Sequence, residues 1–336
     1  MIKFILLPKQ KELETIEGKT FDYVFIDLKN ALPMIFDEKI AMHILENPMY
    51  AFSEFLATIL NAMFYLRSHI KFGSLIFFCE TGQSVYHKKY LKTYKSNRYQ
   101  SWVLLKENEK QSYLKVLQNI FEALVKFLNR IPNTYAFMLR YFEADFIPHF
   151  IVNKQNTCNA LILSNDKDLL QCVNENTWVY RKVSSKFITR IQDAHKELLP
   201  DVTYDKTNLI AEILSILGDS SDGIPGVKGI GPKTLTHLID ILQPENLNDF
   251  FQKAPNTTNK RILNAYKKLI ANESIIRRNY KLIAFSEIEK NLPVSILDEI
   301  DSIFATQKYP LTKIQTLLSK FGISTDLPML EKLVES

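Results

Sequence analysis

Three short apolar runs along this chain share one habit: each is closed by a carboxylate. "DYVFIDL" carries its aromatic and β-branched core to Asp27, "SLIFFCE" stops at Glu80, and "NALILSNDKD" runs into Asp166 and Asp168. Continuous apolar runs of this length, bounded by polar residues, predict strands buried on both faces. Between them the spacing changes to that of amphipathic helices, notably over 52–66 and 113–128. Alternating strand and helix predicts a parallel α/β sheet. In open sheets of that kind ligands gather outside the carboxyl ends of the strands, so three strands would deliver acid to one edge.

A further run, "TWVYRKV" at 177–183, alternates more strictly and reads as an edge strand. Beyond about residue 200 the strand pattern fades, and "NLIAEILSIL", "KTLTHLIDIL" and "TKIQTLLSKFG" carry helical spacing. The expected organisation is an α/β unit over 1–200 and a helical lobe over 201–336. Residues 286–336 show helical spacing without a chemical signature. No internal repeat or low-complexity tract is evident.

Composition narrows the class. With 46% hydrophobic and 24% charged residues in 336, the chain has the balance of a soluble globular protein. Cys79, Cys158 and Cys172 are widely separated, which excludes a CxxC-type zinc site and points to a reducing compartment. The opening "MIKFILLP" is too short for a signal peptide, and no apolar run approaches the roughly 18 residues of a membrane span. A cytoplasmic protein with no membrane partner is expected. The net charge of +5 becomes informative only once the acids are located.

Two more acidic sets join the strand ends. In "YFEADF", Glu143 and Asp145 precede an apolar pattern suited to a helix start; in "GDSSDGIPGVKGIGPKTL", residues 218–235, Asp219 and Asp222 precede a glycine-rich run. Eight neighbouring carboxylates would repel, and several would have to take up protons unless cations relieved them. An all-oxygen ligand set suits Mg²⁺ or Mn²⁺, and two such ions about 4 Å apart serve phosphodiester hydrolysis. Setting those eight aside leaves 42 basic against 29 acidic residues, an excess of 13 suited to a polyanion.

Two further segments point the same way. In "SVYHKKYLKTYKSNR", 84–98, Lys88, Lys92, Lys95 and Arg98 would share one helical face, with Tyr86, Tyr90 and Tyr94 opposite. Starting four residues after Glu80, this arm would hold cations and aromatics beside the metals, where phosphate needs charge and bases can stack. The glycine run is neither a Walker loop, since residue 232 is Pro and the lysine comes one place late, nor a dinucleotide fingerprint, since Thr234 stands where the third glycine belongs. It fits a hairpin between two helices, with Gly218 as a C-cap and Pro232 opening the next helix. There Gly226, Gly229 and Gly231 would let backbone N–H groups approach a phosphate beside Lys228 and Lys233.

With these residues placed, the chain resembles the 5′ nuclease superfamily, which includes flap endonucleases, the 5′ nuclease domain of bacterial DNA polymerase I, phage exonucleases and phage ribonuclease H. "FIDLKNAL" is similar to that family's first-Asp strand, and "FCETGQSVYHKKYLKTYKSNR" to its second-acid strand and helical arch. "EADF" resembles "EADD", "SNDKDLLQ" resembles "TGDKDLLQ", and "GDSSDGIPGVKGIGPKTL" resembles "GDxxDNIPGVxGIGxKTA". The ordered motifs span residue 27 to about residue 240.

The resemblance implies a PIN-like parallel sheet flanked by helices, an arch over about 84–130 and a C-terminal lobe whose helix-three-turn-helix covers about 207–242. It implies one divalent ion on Asp27, Glu80, Glu143 and Asp145 and a second on Asp166, Asp168, Asp219 and Asp222. Lys95 and Arg98 would contact the scissile phosphate. Lys88, Lys89, Lys92 and Tyr94, with Gly226, Lys228, Gly229, Gly231, Lys233 and Thr234, would contact DNA, and some relatives hold K⁺ at the hairpin. Two departures are visible: Glu80 stands where most relatives have Asp, and Phe146 replaces the second Asp of "EADD".

The expected activity is Mg²⁺-dependent 5′→3′ exonuclease and flap endonuclease action on 5′ flaps, nicks, 5′ ends and RNA:DNA hybrids, by a phage-encoded or viral monomer that removes RNA primers or flaps during replication. Protein partners of the expected kind are a single-strand-binding protein or a sliding clamp. The competing readings are a structure-specific DNA-binding protein with weak or no catalysis and a PIN-like ribonuclease, which would lack the hairpin.

Overall fold

The computed structural model describes residues 3–32, 38–82, 84–95, 107–155 and 158–335. At its centre is a six-stranded sheet in the order β3-β2-β1-β4-β5-β6, formed by β1 (Thr20–Asp27), β2 (Lys71–Thr81), β3 (Thr134–Arg140), β4 (Ala160–Leu163), β5 (Thr177–Arg181) and β6 (Lys186–Ile188). The first five strands run parallel and β6 pairs antiparallel with β5. The acid-ended runs became β1, β2 and β4, adjacent at the centre. Alternate residues of β1 serve opposite layers: Val24 and Ile26 face one core, Phe25 the other. Burial on both faces is why these runs are continuously apolar.

One face is covered by the helices Pro48–His69 and Glu107–Leu128. The first starts with Pro48 inside its opening turn and buries Phe55, Leu56 and Ile59 completely. Each such side chain contributes about 1.5–3 kcal/mol of transfer free energy. By length and composition this helix could cross a bilayer, contrary to the expectation of no such run. Its buried positions instead lie in the core against β1 and β2.

The other face carries the helices Ile147–Gln155, Glu273–Ile283 and Val294–Phe304. A separate core joins the helices Ile210–Leu217, Pro232–Leu242 and Lys260–Ala271 with Val227 and Ile230 of the glycine run. The C-terminal segment then returns to the sheet. Phe304 packs on Tyr135 and Phe137 of β3 at 4.8 and 5.6 Å, and the helices Leu311–Lys320 and Leu327–Val334 join the core on the opposite face. Residues without a chemical signature thus form a strap around the β3 edge. It is tied by Lys308 Nζ to the carbonyls of Asn129 and Thr134 at 3.1 and 2.6 Å, and by Arg67 Nε to the Leu333 carbonyl at 3.1 Å.

Three elements differ from expectation. The run 177–183 is not an edge strand, because β6 pairs antiparallel along the outer side of β5 and takes the edge itself. β3, "TYAFMLR", was not among the predicted strands; it is a short apolar run of the kind that periodicity alone cannot separate from buried helix. The continuous arm helix does not form: it spans Val85–Tyr90, Leu91 is extended, and a turn follows. The Lys95 backbone sits at φ +52, and its N–H donates to the Asp222 carbonyl at 2.9 Å. A tertiary contact to the other lobe has replaced the next helical turn.

Candidate metal centre

The sheet brings its acids to one end. Asp27 is the last residue of β1 and Glu80 the penultimate residue of β2. Glu143 and Asp145 follow β3, in the turn before the helix Ile147–Gln155, and Asp166 and Asp168 follow β4. Register aligns them: Asp27 lies opposite Phe78, Glu80 opposite Leu139, and Ile26 opposite Leu163. Asp219 ends the two-residue strand β7 (Gly218–Asp219), and Asp222 lies in the turn to β8 (Ile224–Pro225).

Around Asp27, donors and cations already touch the acids. Asp27 accepts from the backbone N–H of Asn30 at 3.0 Å and the Ser164 hydroxyl at 3.1 Å, and from the Asn30 side chain. Lys29 Nζ lies 2.6 Å from Glu80, and Lys95 Nζ 2.5 Å from Glu143. Burial, together with the charges of Glu80 and Asp166, still pushes Asp27 up to about 6, against the pull of Asn30. Asp145 is raised well above the usual carboxylate range by burial and then by Asp166, Glu80 and Asp27.

The other half is more open in its chemistry. Asp168, Asp219 and Asp222 place one carboxylate oxygen each within 4.8 Å of one another. Asp219 is held below the usual range: burial opposes its charge, but bonds from Ser221 and the Lys167 ammonium at 3.1 Å outweigh it. Asp222 accepts from the Tyr94 hydroxyl at 3.0 Å and faces Lys95 at 3.7 Å. Asp168 is raised well above its ordinary value by burial first and then by Asp166, Asp222 and Asp219. Its Oδ1 is buried without a hydrogen-bond partner. An orphaned carboxylate oxygen among three converging hard oxygen donors fits a Mg²⁺- or Mn²⁺-class cation.

The arm departs from its expected form. Lys89 and Lys92 are exposed and Lys88 half-buried, but they do not align with Lys95 along one helix. Lys95 turns inward between Glu143 and Asp222. Tyr94 is buried, stacked on His87 at 4.4 Å, and its hydroxyl is committed to Asp222. It therefore orients a carboxylate and offers no face to a base. Arg98 lies outside the described residues, as does the middle of the expected arch. Residues 107–128, the later part of the expected arch range, form a helix whose apolar side packs in the core over the sheet.

At the glycine run, a Cβ on Gly226 would stand 1.9 Å from the Leu217 carbonyl oxygen, so close packing of β8 under the preceding helix requires glycine. Gly229 has φ +84, which favours glycine. Gly231 has ordinary φ of −104 and open space around it, so neither backbone nor packing demands glycine there, contrary to the tight-turn reading. Lys228, Gly229, Gly231 and Lys233 are exposed while Thr234 is buried. The run therefore presents a rim of bare backbone and cations over an apolar floor of Val227 and Ile230. Phe146 is buried against Phe142 and Phe150, so the side chain present at this departure belongs to the core.

Residue-by-residue reading missed Lys29, Asn30, Ser164 and Lys167, the donors that hold the acids. The available signal was adjacency: Lys29 lies two residues after Asp27, and Lys167 sits between Asp166 and Asp168. Lys268, whose Nζ stands over Gly229, belongs to a helix far along the chain and left no local trace.

No family model matches the chain. A 5′-3′ exonuclease of Buchnera aphidicola subsp. Acyrthosiphon pisum is 27% identical over 226 residues, 66% of this chain and 71% of that protein. The flap endonuclease Xni of Shewanella halifaxensis is 28% identical over 156 residues, covering 46% of this chain and 56% of its own length. Among solved structures, a bacteriophage T5 D15 flap endonuclease variant, in a pseudo-enzyme-product complex with DNA and metal ions, superposes with a TM-score of 0.56. It is 18% identical and covers 94% of this chain and all of that one, a likeness that shows the fold.

Proposed function

We propose, from the premise that a chain related to 5′-3′ exonucleases and folded like a flap endonuclease fits the 5′ nuclease superfamily, that this protein hydrolyses phosphodiesters near 5′ ends and junctions of DNA. Its substrates would be 5′ flaps, nicked duplexes and RNA:DNA hybrids. The observation that carries the reading is the convergence of Asp27, Glu80, Glu143, Asp145, Asp166, Asp168, Asp219 and Asp222 from five segments on one sheet edge, with the Asp168 oxygen left unpaired.

Two divalent ions there, Mg²⁺ or in its place Mn²⁺, would supply an activated water and bind the attacking and leaving oxygens. The chain's own contribution is positional. Asn30 and Ser164 fix the Asp27 carboxylate, Tyr94 fixes Asp222, and Lys29 and Lys167 limit repulsion between the acids. Lys95 is the cation nearest both halves, placed to meet an incoming phosphate; Arg98 would add a second. Lys88, Lys89 and Lys92 give the arm root a basic character that would draw the 5′ strand. The rim of Lys228, Gly229, Gly231 and Lys233 would grip duplex backbone without reading bases, with K⁺ as an added ion there.

The deciding experiment incubates the protein with a labelled 5′-flap duplex, a nicked duplex and an RNA:DNA hybrid, in Mg²⁺, in Mn²⁺ and in EDTA. Metal-dependent cleavage is expected. Failure to cut any of them, with duplex binding intact, would replace the enzyme by a structure-specific binding protein. A clamp or single-strand-binding partner would show as faster cleavage on its addition.

A further inference from the structure

At the mouth of the acid edge, two residues side by side hold left-handed backbone: Gly82, just past β2, at φ +77, and Tyr141, just past β3, at φ +60. For glycine this is free; for tyrosine the Cβ crowds the carbonyl at a cost of roughly 1–2 kcal/mol. Neighbours enforce it. The Tyr141 N–H donates to the Thr81 carbonyl at 2.9 Å, and its own carbonyl accepts from Val85, the first residue of the arm helix, at 2.9 Å. Burial does not offset the strain, because Tyr141 is 61% exposed.

The ring rests on Gly82. A Cβ there would stand 3.0 Å from Tyr141 Cδ1 and 3.1 Å from Cε1. Glycine's missing side chain therefore provides a flat seat for one part of the ring, while the residue as a whole stays open to solvent. Exposed Val85 adds apolar surface beside it. The position is two residues beyond Glu80 on one side and two before Glu143 on the other, so the ring is carried by the same two chain segments that carry those acids. A strained, exposed aromatic at such a place is suited to contact with substrate.

We propose that Tyr141 is a stacking platform for the nucleobase beside the scissile phosphate, a positioning residue that sets which bond enters the acid cluster. This rests on the nuclease reading above. Base–aromatic stacking is tolerant of sequence and strong enough to set register. It is the role that Tyr94, buried on Asp222, cannot take.

The test uses a 5′-flap duplex with 2-aminopurine placed in turn at the two nucleotides flanking the flap junction, in EDTA to prevent turnover. Stacking quenches 2-aminopurine emission. Wild type and Tyr141→Phe should quench it at one of the two positions; Tyr141→Gly should not, and should bind the flap on the order of tenfold more weakly. Because φ +60 suits glycine, this variant should melt no lower than wild type, which separates lost stacking from lost fold. An abasic nucleotide at the quenched position should weaken wild type by the same factor and leave Tyr141→Gly unaffected. Equal quenching by wild type and Tyr141→Gly, or equal abasic penalties in both, would overturn the platform. Wild-type cleavage in Mg²⁺ keeps the two readings apart. Cleavage without differential quenching removes only the platform, and quenching without cleavage removes only the nuclease reading.

Discussion

Around Asp27, Glu80 and Glu143 ammonium groups stand 2.5–2.6 Å from two of the three carboxylates, and amide and hydroxyl donors serve the third. Around Asp168, Asp219 and Asp222 the cations stand back at 3.1–3.7 Å and one buried oxygen has no partner. In the first half the lysines answer part of the repulsion, although Asp27 and Asp145 are still raised by their acidic neighbours; the second keeps ligand capacity in reserve. Lys95 belongs to both, tight on Glu143 and looser on Asp222. Acid convergence alone therefore does not predict where a cation is most needed, and the difference lies in which acids have a lysine within contact.

Removing the ligand held in reserve should have the largest effect. Asp168→Asn is expected to reduce cleavage by at least about a thousandfold, the scale lost when a group central to transition-state stabilisation goes, while flap binding in EDTA is retained. Full activity would remove Asp168 from the centre. Lys95→Ala cuts the link between the halves and should lower turnover by about a hundredfold, with a smaller change in duplex affinity. The reverse pattern would assign the arm to docking alone.

A buried acid outside the cluster calibrates the comparison. Glu212, in the helix Ile210–Leu217, is pushed up to about 7 by burial. The folded protein then holds a proton that the unfolded chain releases near its ordinary value of 4.5, so stability falls as pH rises from about 4.5 to 7. Glu212→Gln should flatten that slope and stabilise the protein at pH 8 by about 3 kcal/mol, measured by urea denaturation. An unchanged pH profile would show that Glu212 is not the source. The smallest effect is expected from Lys29→Met, which strips Glu80 of its ammonium. Melting in EDTA should reveal a loss of about 1 kcal/mol, since the pair is partly exposed. The loss should narrow when a divalent ion is added. A loss that persists unchanged with metal would mean that Lys29 supports packing and not the charge balance.

Much of this arrangement could be read along the chain. The strands ending at Asp27 and Glu80, and the one running into Asp166, announced themselves because burial on both faces demands unbroken apolar residues and function sits where those runs stop. The glycine run was legible because steric demands on Gly226 and Gly229 leave few substitutes. What stayed hidden depends on contacts distant in sequence. The helical repeat of 84–98 is genuine, yet the Asp222 carbonyl wins the Lys95 N–H and the helix stops at Tyr90. The same bond turns Lys95 toward Glu143 and buries Tyr94, changing the roles of both from those expected on a solvent-facing arm. Tyr141 gave no signal either, because a positive φ on a tyrosine is imposed by the ends of β2 and the arm helix, not by any local preference of that residue.

The strap around the β3 edge has a consequence in time. Arg67 donates to the carbonyls of Phe72 and Gly73 beside it and to that of Leu333, 266 residues further on. At a synthesis rate of about 5–20 residues per second, the helix carrying Arg67 exists for about 13 to 50 s before its last partner is made. For the later part of that interval, once β3 (Thr134–Arg140) has been made, its edge and the apolar face beneath the strap stand uncovered. A nascent chain of this protein is therefore exposed to aggregation and proteolysis longest at the edge farthest in sequence from its cover.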